Sequence, residues 1–507
     1  MSEPPSDIDA FLAALCAIER AWVLLDIGQV DEAVRLGGAS AQVLTRAAAL
    51  LSAADPDRAH GLLEQAAALD APPAPTQLAL SRSLRARGDE AGASRWLRGA
   101  MLRARPDGSL LLELAAIEPD HARAIVDTAR AFPCRDAAAA AAAAGALLAR
   151  GQRKEARTAG TIAFEAGARD GDFLVLYSDL LADPALHDGP PLPPGPLGMP
   201  HWWNVATRAA QARLTHAYPA APLIARAQER EASDHWLGAA RLGAYLRERI
   251  EARAPFSWIR LGDGEARFLI HLHPELRAAL PPREADAMAR QIWFAWFGHD
   301  MAEVPTDRLA ALGDRLEQAI RNADLLGVTS AERLAGDAAH YGFCAALETY
   351  LESLPDARAG RLVGDALAPA ALNRQDPFLG SLLRGLDFLG VVSPHPDLAD
   401  RLQRQLNIGA VASYHLPGET RLARDAESGN RGTHFPTVYD RLLTTLSVPY
   451  PGAVFLVAGG LPGKIYCDHI RALGGIALDI GALADAWVGH NSRGRQFDGT
   501  PVLPGVG

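Results

Sequence analysis

The sequence is poor in cysteine, and this shortage excludes two kinds of site. Only four cysteines occur among 507 residues, and no two of them form a C-x-x-C pair. They are Cys16, Cys134, Cys344 and Cys467. Scattered cysteines of this kind indicate reduced thiols, and they provide neither a disulfide framework nor a cysteine-based zinc site.

An excess of positive charge is also lacking. The chain carries 50 Lys and Arg residues against 60 Asp and Glu residues, which gives a formal net charge of −10. A general nucleic-acid binder needs surplus cations to neutralise phosphates. We therefore expect no nucleic-acid partner, although a local basic patch stays open.

Long apolar runs are missing as well. The longest, residues 137–149, is alanine-rich and too short to cross a bilayer. The first residues, MSEPPSDIDAFLAAL, are acidic and lack the basic start of a secretory signal. We therefore expect no transmembrane segment and a cytoplasmic location, and the length predicts roughly two to four domains.

What the chain has in abundance, over residues 1–180, is Ala, Leu and Arg with apolar positions at helical spacing. Two sets of small and apolar residues recur 34 positions later in the sequence. The pairs of sets are Ala59, Leu63, Ala66 with Ala93, Leu97, Ala100, and Ala122, Val126, Ala129 with Ala156, Gly160, Ala163. A turn, Arg87–Asp89 or Arg150–Gln152, precedes the second member of each pair.

This pattern resembles a degenerate tetratricopeptide solenoid, in which small residues let paired helices approach closely. A generic bundle of alanine-rich hairpins stays open as the alternative. Residues 181–204 follow as a proline-rich linker, because so many prolines cannot continue a helix. The HWWN sequence at its end is a candidate for docking the linker back onto a domain.

Residues 205–507 alternate between helical patterns and short apolar runs, which predicts an α/β domain with a mainly parallel sheet covered on both faces. Helices are expected at 222–252, 284–296, 305–322, 331–351, 396–406, 434–445 and 463–473. Strands are expected at 257–262, 325–330, 361–365, 386–393, 408–416, 453–460 and 475–481. Ligands of such sheets bind beyond the carboxyl ends of the strands, so polar residues ending these runs should meet at one edge.

The first candidate motif is RLGDGE, residues 260–265, at the end of a predicted strand. Asp263 and Glu265 stand two apart in an extended or turning segment, so both carboxylates are expected on the same side, facing one cation. Oxygen ligands suit Mg²⁺ and Mn²⁺, and magnesium often takes one or two carboxylates plus substrate phosphates. An ordinary glycine turn is the alternative.

Two further motifs lie near the carboxyl terminus. In AGGLPGK the glycines Gly459, Gly460 and Gly463, with Lys464, would aim N–H groups and an ammonium at an anion. The loop is not a Walker A motif, because Ala458 replaces its first glycine and Ile465 follows the lysine. In ALDIG, Asp479 is a candidate to contact a sugar hydroxyl, to orient Lys464 or to cap a helix.

Together RLGDGE, AGGLPGK and ALDIG resemble the GT-D-fold glycosyltransferases over about residues 240–490. The resemblance implies transfer of a sugar from a nucleotide-sugar, usually UDP-linked, with a divalent cation, Mn²⁺ or Mg²⁺. Carried over by motif, Asp263 and Glu265 would hold the metal and the donor diphosphate. Arg260, Gly262 and Gly264 would support them, with the AGGLPGK loop and Asp479 beside the donor. One departure is Ala482, where similar sequences commonly carry histidine.

An inverting transfer also needs a base for the acceptor hydroxyl. Asp365, His434 and Asp468 are the candidates, and His434 follows the loop sequence ESGNRGT. A structural role for this histidine stays open. Trp293 and Trp296 either stack on a sugar or, at helical spacing, belong to a core face.

Three functions remain open at this stage. The first is a metal-dependent glycosyltransferase whose helical repeats bind the acceptor, for which a protein is a candidate. The second is a repeat-based scaffold whose α/β domain binds nucleotides without turnover. The third is another phosphate-handling enzyme that uses the D-x-E pair.

Overall fold

The structure is a computed structural model, and it describes residues 16–69, 72–103, 107–186, 196–354, 361–419, 434–490 and 497–505. The chain divides into two compact units, Met1–Leu192 and Pro193–Gly507. Within the predicted linker, residues 187–195 lie outside the described residues. Among the described residues, no helix has the length and apolar character that a bilayer crossing requires.

The described part of the N-terminal unit consists of consecutive helices that pack in pairs, and it contains no strand. Its helices are α1 (Ala17–Asp26), α2 (Val30–Gly37), α3 (Ala41–Leu51), α4 (Pro56–Ala68), α5 (Ala74–Ala86), α6 (Glu90–Arg103), α7 (Gly108–Ile117), α8 (Ala122–Ala129), α9 (Ala137–Ala149), α10 (Arg153–Glu165) and α11 (Gly171–Ala182). Short 3₁₀ turns cover Pro119–His121 and Pro184–Leu186.

The helical repeat predicted from the sequence is confirmed. All twelve recurring positions are buried, and each set of three lies on the second helix of a pair, in α4, α6, α8 or α10. Both predicted turns separate two helices, with Gly88 and Gly151 in the left-handed region at φ +84° and +78°. Gly160 packs against Tyr177, so closely that a Cβ at Gly160 would stand 2.7 Å from the ring.

The C-terminal unit is an α/β structure. Its helices are α12 (His201–Ala217), α13 (Ala220–Glu231), α14 (Ala239–Glu251), α15 (Asp263–Leu272), α16 (Pro274–Arg277), α17 (Pro282–Phe297), α18 (Thr306–Asn322), α19 (Ala331–Gly336), α20 (Tyr341–Ser353), α21 (Ala368–Gln375), α22 (Gly380–Leu383), α23 (Leu398–Leu406), α24 (Tyr439–Thr445), α25 (Gly460–Ala472) and α26 (Leu483–Trp487). A π turn, His434–Val438, leads into α24, and 3₁₀ turns cover Pro196–Gly198, Met301–Glu303 and Pro377–Leu379.

The strands are β1 (Trp236–Leu237), β2 (Phe256–Arg260), β3 (Leu325–Val328), β4 (Leu362–Asp365), β5 (Phe388–Ser393), β6 (Ala410–His415), β7 (Val454–Val457) and β8 (Ile476–Asp479). Among the described residues they form one sheet in the order β1-β4-β3-β2-β8-β7-β5-β6, and every pairing is parallel. The predicted parallel sheet is therefore confirmed, and each of the seven predicted strands is present.

Alternate residues of the strands feed two cores, one on each face of the sheet. On one face, side chains such as Ile259 and Phe455 pack against helices that include α15, α17, α18, α20 and α25. On the other face, side chains such as Trp258 and Leu456 pack against α14, α21, α22, α23 and α26. The helix after β5 and the helix after β7 thus lie on opposite faces, which opens a crevice beyond the carboxyl ends of these strands.

Several boundaries differ from the predictions. The single helix expected at 222–252 is interrupted by β1, and the one at 331–351 is divided into α19 and α20. The HWWN segment is not part of a linker, because it forms the first turn of α12. Trp203 in this turn packs with Ala206 and Ala287 of the C-terminal unit.

Candidate functional site

A cleft of about 680 Å³ lies beyond the carboxyl ends of the parallel strands of the C-terminal unit. Residues that follow six strands line it, from the ends of β2, β4, β5, β6, β7 and β8. Because β2, β8 and β7 are neighbours in the sheet, the three motifs singled out in the sequence meet at this one edge.

Four charged side chains of these motifs form what we call the floor network: Arg260, Glu265, Lys464 and Asp479. The Lys464 ammonium lies 3.1 Å from Glu265 Oε1 and 2.9 Å from Asp479 Oδ2. Arg260 donates to Asp479 twice, from its backbone N–H and from its guanidinium, at 3.2 Å each. Two residues of RLGDGE, one of AGGLPGK and one of ALDIG are therefore joined in a single ion network.

Burial and charge pairing act in opposite directions in the floor network. The side chains of Lys464 and Asp479 are 5% and 2% exposed. Burial favours the neutral amine, yet the Asp479 and Glu265 carboxylates outweigh it and raise the pKa of Lys464. Burial likewise works against the Asp479 carboxylate, but Lys464 and Arg260 prevail and lower its pKa. Both groups are therefore charged at neutral pH.

Lysine is a specific choice at this position, because the sequence contains only two lysines, Lys154 and Lys464, among 50 basic residues. A compact ammonium fits between two carboxylates, whereas the guanidinium of arginine is a broad planar fork. Lys464 was expected to point at a ligand. Lys464 lines the cleft, and its ammonium binds two protein carboxylates. Asp479 therefore orients it, which is one of the roles considered for Asp479.

The D-x-E segment is helical, so the prediction of an extended or turning segment is wrong. Gly262 is the N-cap of α15, and Asp263 and Glu265 occupy its first and third positions. Residues two apart in a helix project about 200° from each other, not to the same side. Glu265 turns back to accept a hydrogen bond from the Gly262 N–H at 2.9 Å, and its other oxygen binds Lys464.

Asp263 belongs to a second set, which we call the rim group: Asp263, Arg267 and Arg333. Its carboxylate lies 2.8 Å from the Arg267 guanidinium and 3.6 Å from that of Arg333. The Asp263 side chain is 22% exposed, and all three members line the cleft. Sequence reasoning missed both arginines. The signal for Arg267 was its position four residues after Asp263, and for Arg333 its place shortly after the end of β3.

The glycine residues serve different purposes. Gly459 and Gly460 line the cleft at the start of α25. Gly463 does not, since its N–H donates to the Gly459 carbonyl inside the first helical turn at 3.2 Å and is not directed at a ligand. Gly264 allows close packing, because a Cβ there would stand 2.8 Å from Trp296. Gly481 has φ +48° and lies against Arg260, where a Cβ would be 1.9 Å from the guanidinium.

His434 is buried, although it borders the cleft. Its Nε2 lies 3.0 Å from the Tyr466 hydroxyl, and burial lowers the pKa of His434 to about 3. Such a histidine stays neutral and is a weak proton acceptor, so its environment does not suit a general base. Residues 427–433 of the loop that precedes it lie outside the described residues.

The other two candidate bases do not line the cleft. Asp365 accepts a hydrogen bond from the Leu367 N–H at 2.7 Å, in the turn that follows β4. Asp468 accepts one from the side chain of Asn322 at 3.0 Å. Of the two tryptophans, Trp293 is fully buried in the core, whereas Trp296 is mostly buried with one edge at the cleft.

No protein-family model matches the sequence, and no curated protein sequence matches it. A similar solved structure is that of YrrB, described as a TPR protein with an unusual peptide-binding site. It is 16% identical, and the match covers 37% of this chain and 94% of that chain with a TM-score of 0.22. A likeness at this score carries no argument about fold or function.

Proposed function

We propose that the C-terminal unit is a glycosyltransferase that moves a sugar from a nucleotide-sugar donor, UDP-linked, to an acceptor with a divalent cation. The observation that supports this proposal is the meeting of the three motifs in one cleft, joined through Lys464, Glu265 and Asp479. A cleft beyond the carboxyl ends of parallel strands is the usual ligand position in such sheets.

The cleft has the groups that a diphosphate requires. Arg260, Arg267 and Arg333 line it and carry permanent positive charge. The first turns of α15 and α25 also line it, and the first N–H groups of a helix have no acceptor within the helix. Backbone N–H groups and guanidinium groups arranged in this way bind phosphate oxygens.

The residues present also fit a divalent cation, although with few ligands. Among residues that the structure describes, no group of three or more His, Cys, Asp or Glu side chains is arranged to hold a metal. Asp263 lines the cleft with a partly exposed carboxylate. One or two carboxylates plus substrate phosphates are sufficient for Mg²⁺. Glu265 would have to release Lys464 or the Gly262 N–H before it joined Asp263 as a ligand.

The leaving diphosphate is where this chain's charges would act. A bound divalent cation supplies a Lewis acid that stabilises the departing oxygens. Arg260 and Arg333 would stabilise the same developing negative charge from fixed positions, which requires no reorganisation during the reaction. Glu265 and Asp479 both bind Lys464. Because Glu265 belongs to the first turn of α15 and Lys464 to α25, this ion network holds the starts of the two helices in a fixed relative position.

The N-terminal unit is proposed as a tetratricopeptide-like module that binds the acceptor, which would be a protein. Stacked helix pairs of this kind present long surfaces suited to extended partners. Holding the acceptor on the same chain raises its effective concentration for the transfer. A cytoplasmic location is proposed from the sequence alone.

The experiment that tests the proposal measures UDP release from UDP-glucose, UDP-galactose and UDP-N-acetylglucosamine with Mn²⁺. We expect the wild type to hydrolyse at least one donor slowly, and Asp263→Asn to abolish this while its circular dichroism spectrum is unchanged. Tight UDP binding without any turnover would favour the scaffold function. Release of phosphate from simple phosphate esters would favour a different phosphate-handling enzyme.

A further inference from the structure

A histidine–aspartate pair lies at the cleft outside the three motifs. His395 follows β5, and its Nε2 lies 2.8 Å from Oδ1 of Asp485 in α26. Asp485 lines the cleft, and so does Pro394, which precedes the histidine. The two residues are 90 positions apart in the sequence, and neither has a role in the floor network or the rim group.

The surroundings fix the orientation of the His395 ring. Its backbone N–H donates to the Ser393 Oγ at 3.1 Å, and its ring stacks on His490 with centroids 5.8 Å apart. Because a carboxylate oxygen accepts hydrogen bonds, His395 Nε2 is the donor in this contact. The hydrogen bond in turn holds the Asp485 carboxylate in one rotamer.

The pair is placed to serve the same ligand as the three motifs. Asp485 lies one helical turn after Gly481 and Ala482, both of which line the cleft. Gly481 in turn lies against the guanidinium of Arg260 in the floor network. One continuous cleft therefore has cations and helix N-termini along one part and an oriented carboxylate along another.

We propose that Asp485, oriented by His395, is the base that accepts the proton of the acceptor hydroxyl, an assignment that rests on the proposed glycosyltransferase function. The acceptor oxygen bonds to the anomeric carbon as the bond from that carbon to the diphosphate oxygen breaks. The nucleoside diphosphate leaves with the electron pair, and the hydroxyl proton moves to the Asp485 carboxylate. This single displacement inverts the configuration of the sugar. His395 is a positioning residue.

Azide provides a specific test, because it is an anionic nucleophile that needs no base. Asp485→Ala should reduce UDP release into water by about 100-fold or more. Adding sodium azide should restore UDP release and yield the glycosyl azide of inverted configuration. His395→Gln, which keeps an N–H donor for Asp485, should retain most activity. His395→Leu should lose activity and regain it with azide.

The controls separate this assignment from the proposed function. Asp400→Ala, an exposed acid on α23, should behave as the wild type, and UDP affinity measured by calorimetry should be unchanged in every variant. Should Asp485→Ala fail to fold, Asp485→Asn takes its place. Full activity of the Asp485 variant, or inactivity that azide does not rescue, would overturn the assignment while UDP binding persists. A wild type that binds no UDP would refute both proposals.

Discussion

The floor and the rim of the cleft use the same residue types in opposite ways. In the floor network, Lys464 and Asp479 are almost fully buried, and the carboxylates of Glu265 and Asp479 each contact a cation within about 3 Å. In the rim group, the Asp263 side chain is 22% exposed, against 2% for Asp479, and its second arginine lies 3.6 Å away. The motif RLGDGE therefore contributes one acid to a buried ion network and one to the more exposed rim group.

This difference shows that a short motif does not assign one role to all its residues. A buried charge is stable only while its partners remain, so removing one partner strongly lowers the stability of the fold. A partly exposed ion pair contributes little to stability, and its members remain available to a ligand.

Lys464→Met should produce the largest loss of stability. It leaves two buried carboxylates, Glu265 and Asp479, without their shared cation, which costs roughly 3–5 kcal/mol. Urea unfolding followed by tryptophan fluorescence measures the loss. The matched control is Lys154→Met, at the other lysine of the chain, which is exposed. This change should alter stability by less than about 0.5 kcal/mol. Equal stability of the two variants would show that Lys464 is not part of a buried network.

His434 should make folding stability depend on pH, because it is buried without charge. The unfolded histidine binds a proton near pH 6.5, whereas burial lowers the pKa of the folded one to about 3. Stability therefore falls as the pH drops through this interval, by roughly 1.5–2 kcal/mol between pH 6.5 and pH 5. His434→Leu should remove this part of the slope in urea titrations. An unaltered slope would contradict the burial of the neutral imidazole.

Asp263→Asn and Glu265→Gln should separate ligand binding from stability. Asp263→Asn is expected to weaken Mn²⁺ binding in the presence of UDP by at least about tenfold, because it removes a charged oxygen ligand. Its unfolding free energy should change by less than about 1 kcal/mol. Glu265→Gln should lower stability more than it lowers Mn²⁺ affinity. Electron paramagnetic resonance of Mn²⁺ measures the affinity, and urea unfolding measures the stability. If Glu265→Gln lowered the Mn²⁺ affinity more and Asp263→Asn lowered the stability more, the roles assigned to the two acids would be exchanged.

Replacing two glycines of the N-terminal unit with alanine should change its stability in opposite directions. Gly160→Ala places a Cβ 2.7 Å from the Tyr177 ring and should destabilise by roughly 1 kcal/mol or more. Gly145→Ala, whose Cβ would have 3.7 Å to Leu176, gains helix propensity and should stabilise by up to about 1 kcal/mol. Thermal unfolding measures both changes, and UDP affinity should be the same in both. A stabilising Gly160→Ala would contradict the close helix crossing.

The sequence allowed the architecture to be predicted where patterns were long or bounded by clear breakers. The alanine-rich repeats and the seven apolar strands were evident because burial of a helix or a strand leaves a periodic signal. The two-residue strand β1 was missed, since two residues carry no period. Helix α15 was missed because Gly262 and Gly264 suggested a turn, although Glu265 at its third position and the apolar residues after it are typical of a helix start.

Apart from the contact between Asp479 and Lys464, which was one of the alternatives drawn from the sequence, the pairing within the candidate site was beyond sequence reasoning. Arg260 and Asp479 are 219 residues apart, and only the parallel pairing of β2 with β8 brings them together. The same applies to Arg333 beside Asp263, and to His395 beside Asp485. Each of these contacts depends on tertiary packing, which leaves no local pattern. Burial of His434 has the same origin, because a histidine after a polar loop gives no sign of the aromatic core that encloses it.

A crystal structure of the protein soaked with UDP and Mn²⁺ is the most direct test of the central claim. We expect the diphosphate in the cleft beside Arg333 and the first turns of α15 and α25, with the metal bound to Asp263 and to phosphate oxygens. The floor network should be unchanged. A nucleotide bound elsewhere on the C-terminal unit, with the cleft empty at saturating UDP, would contradict the claim.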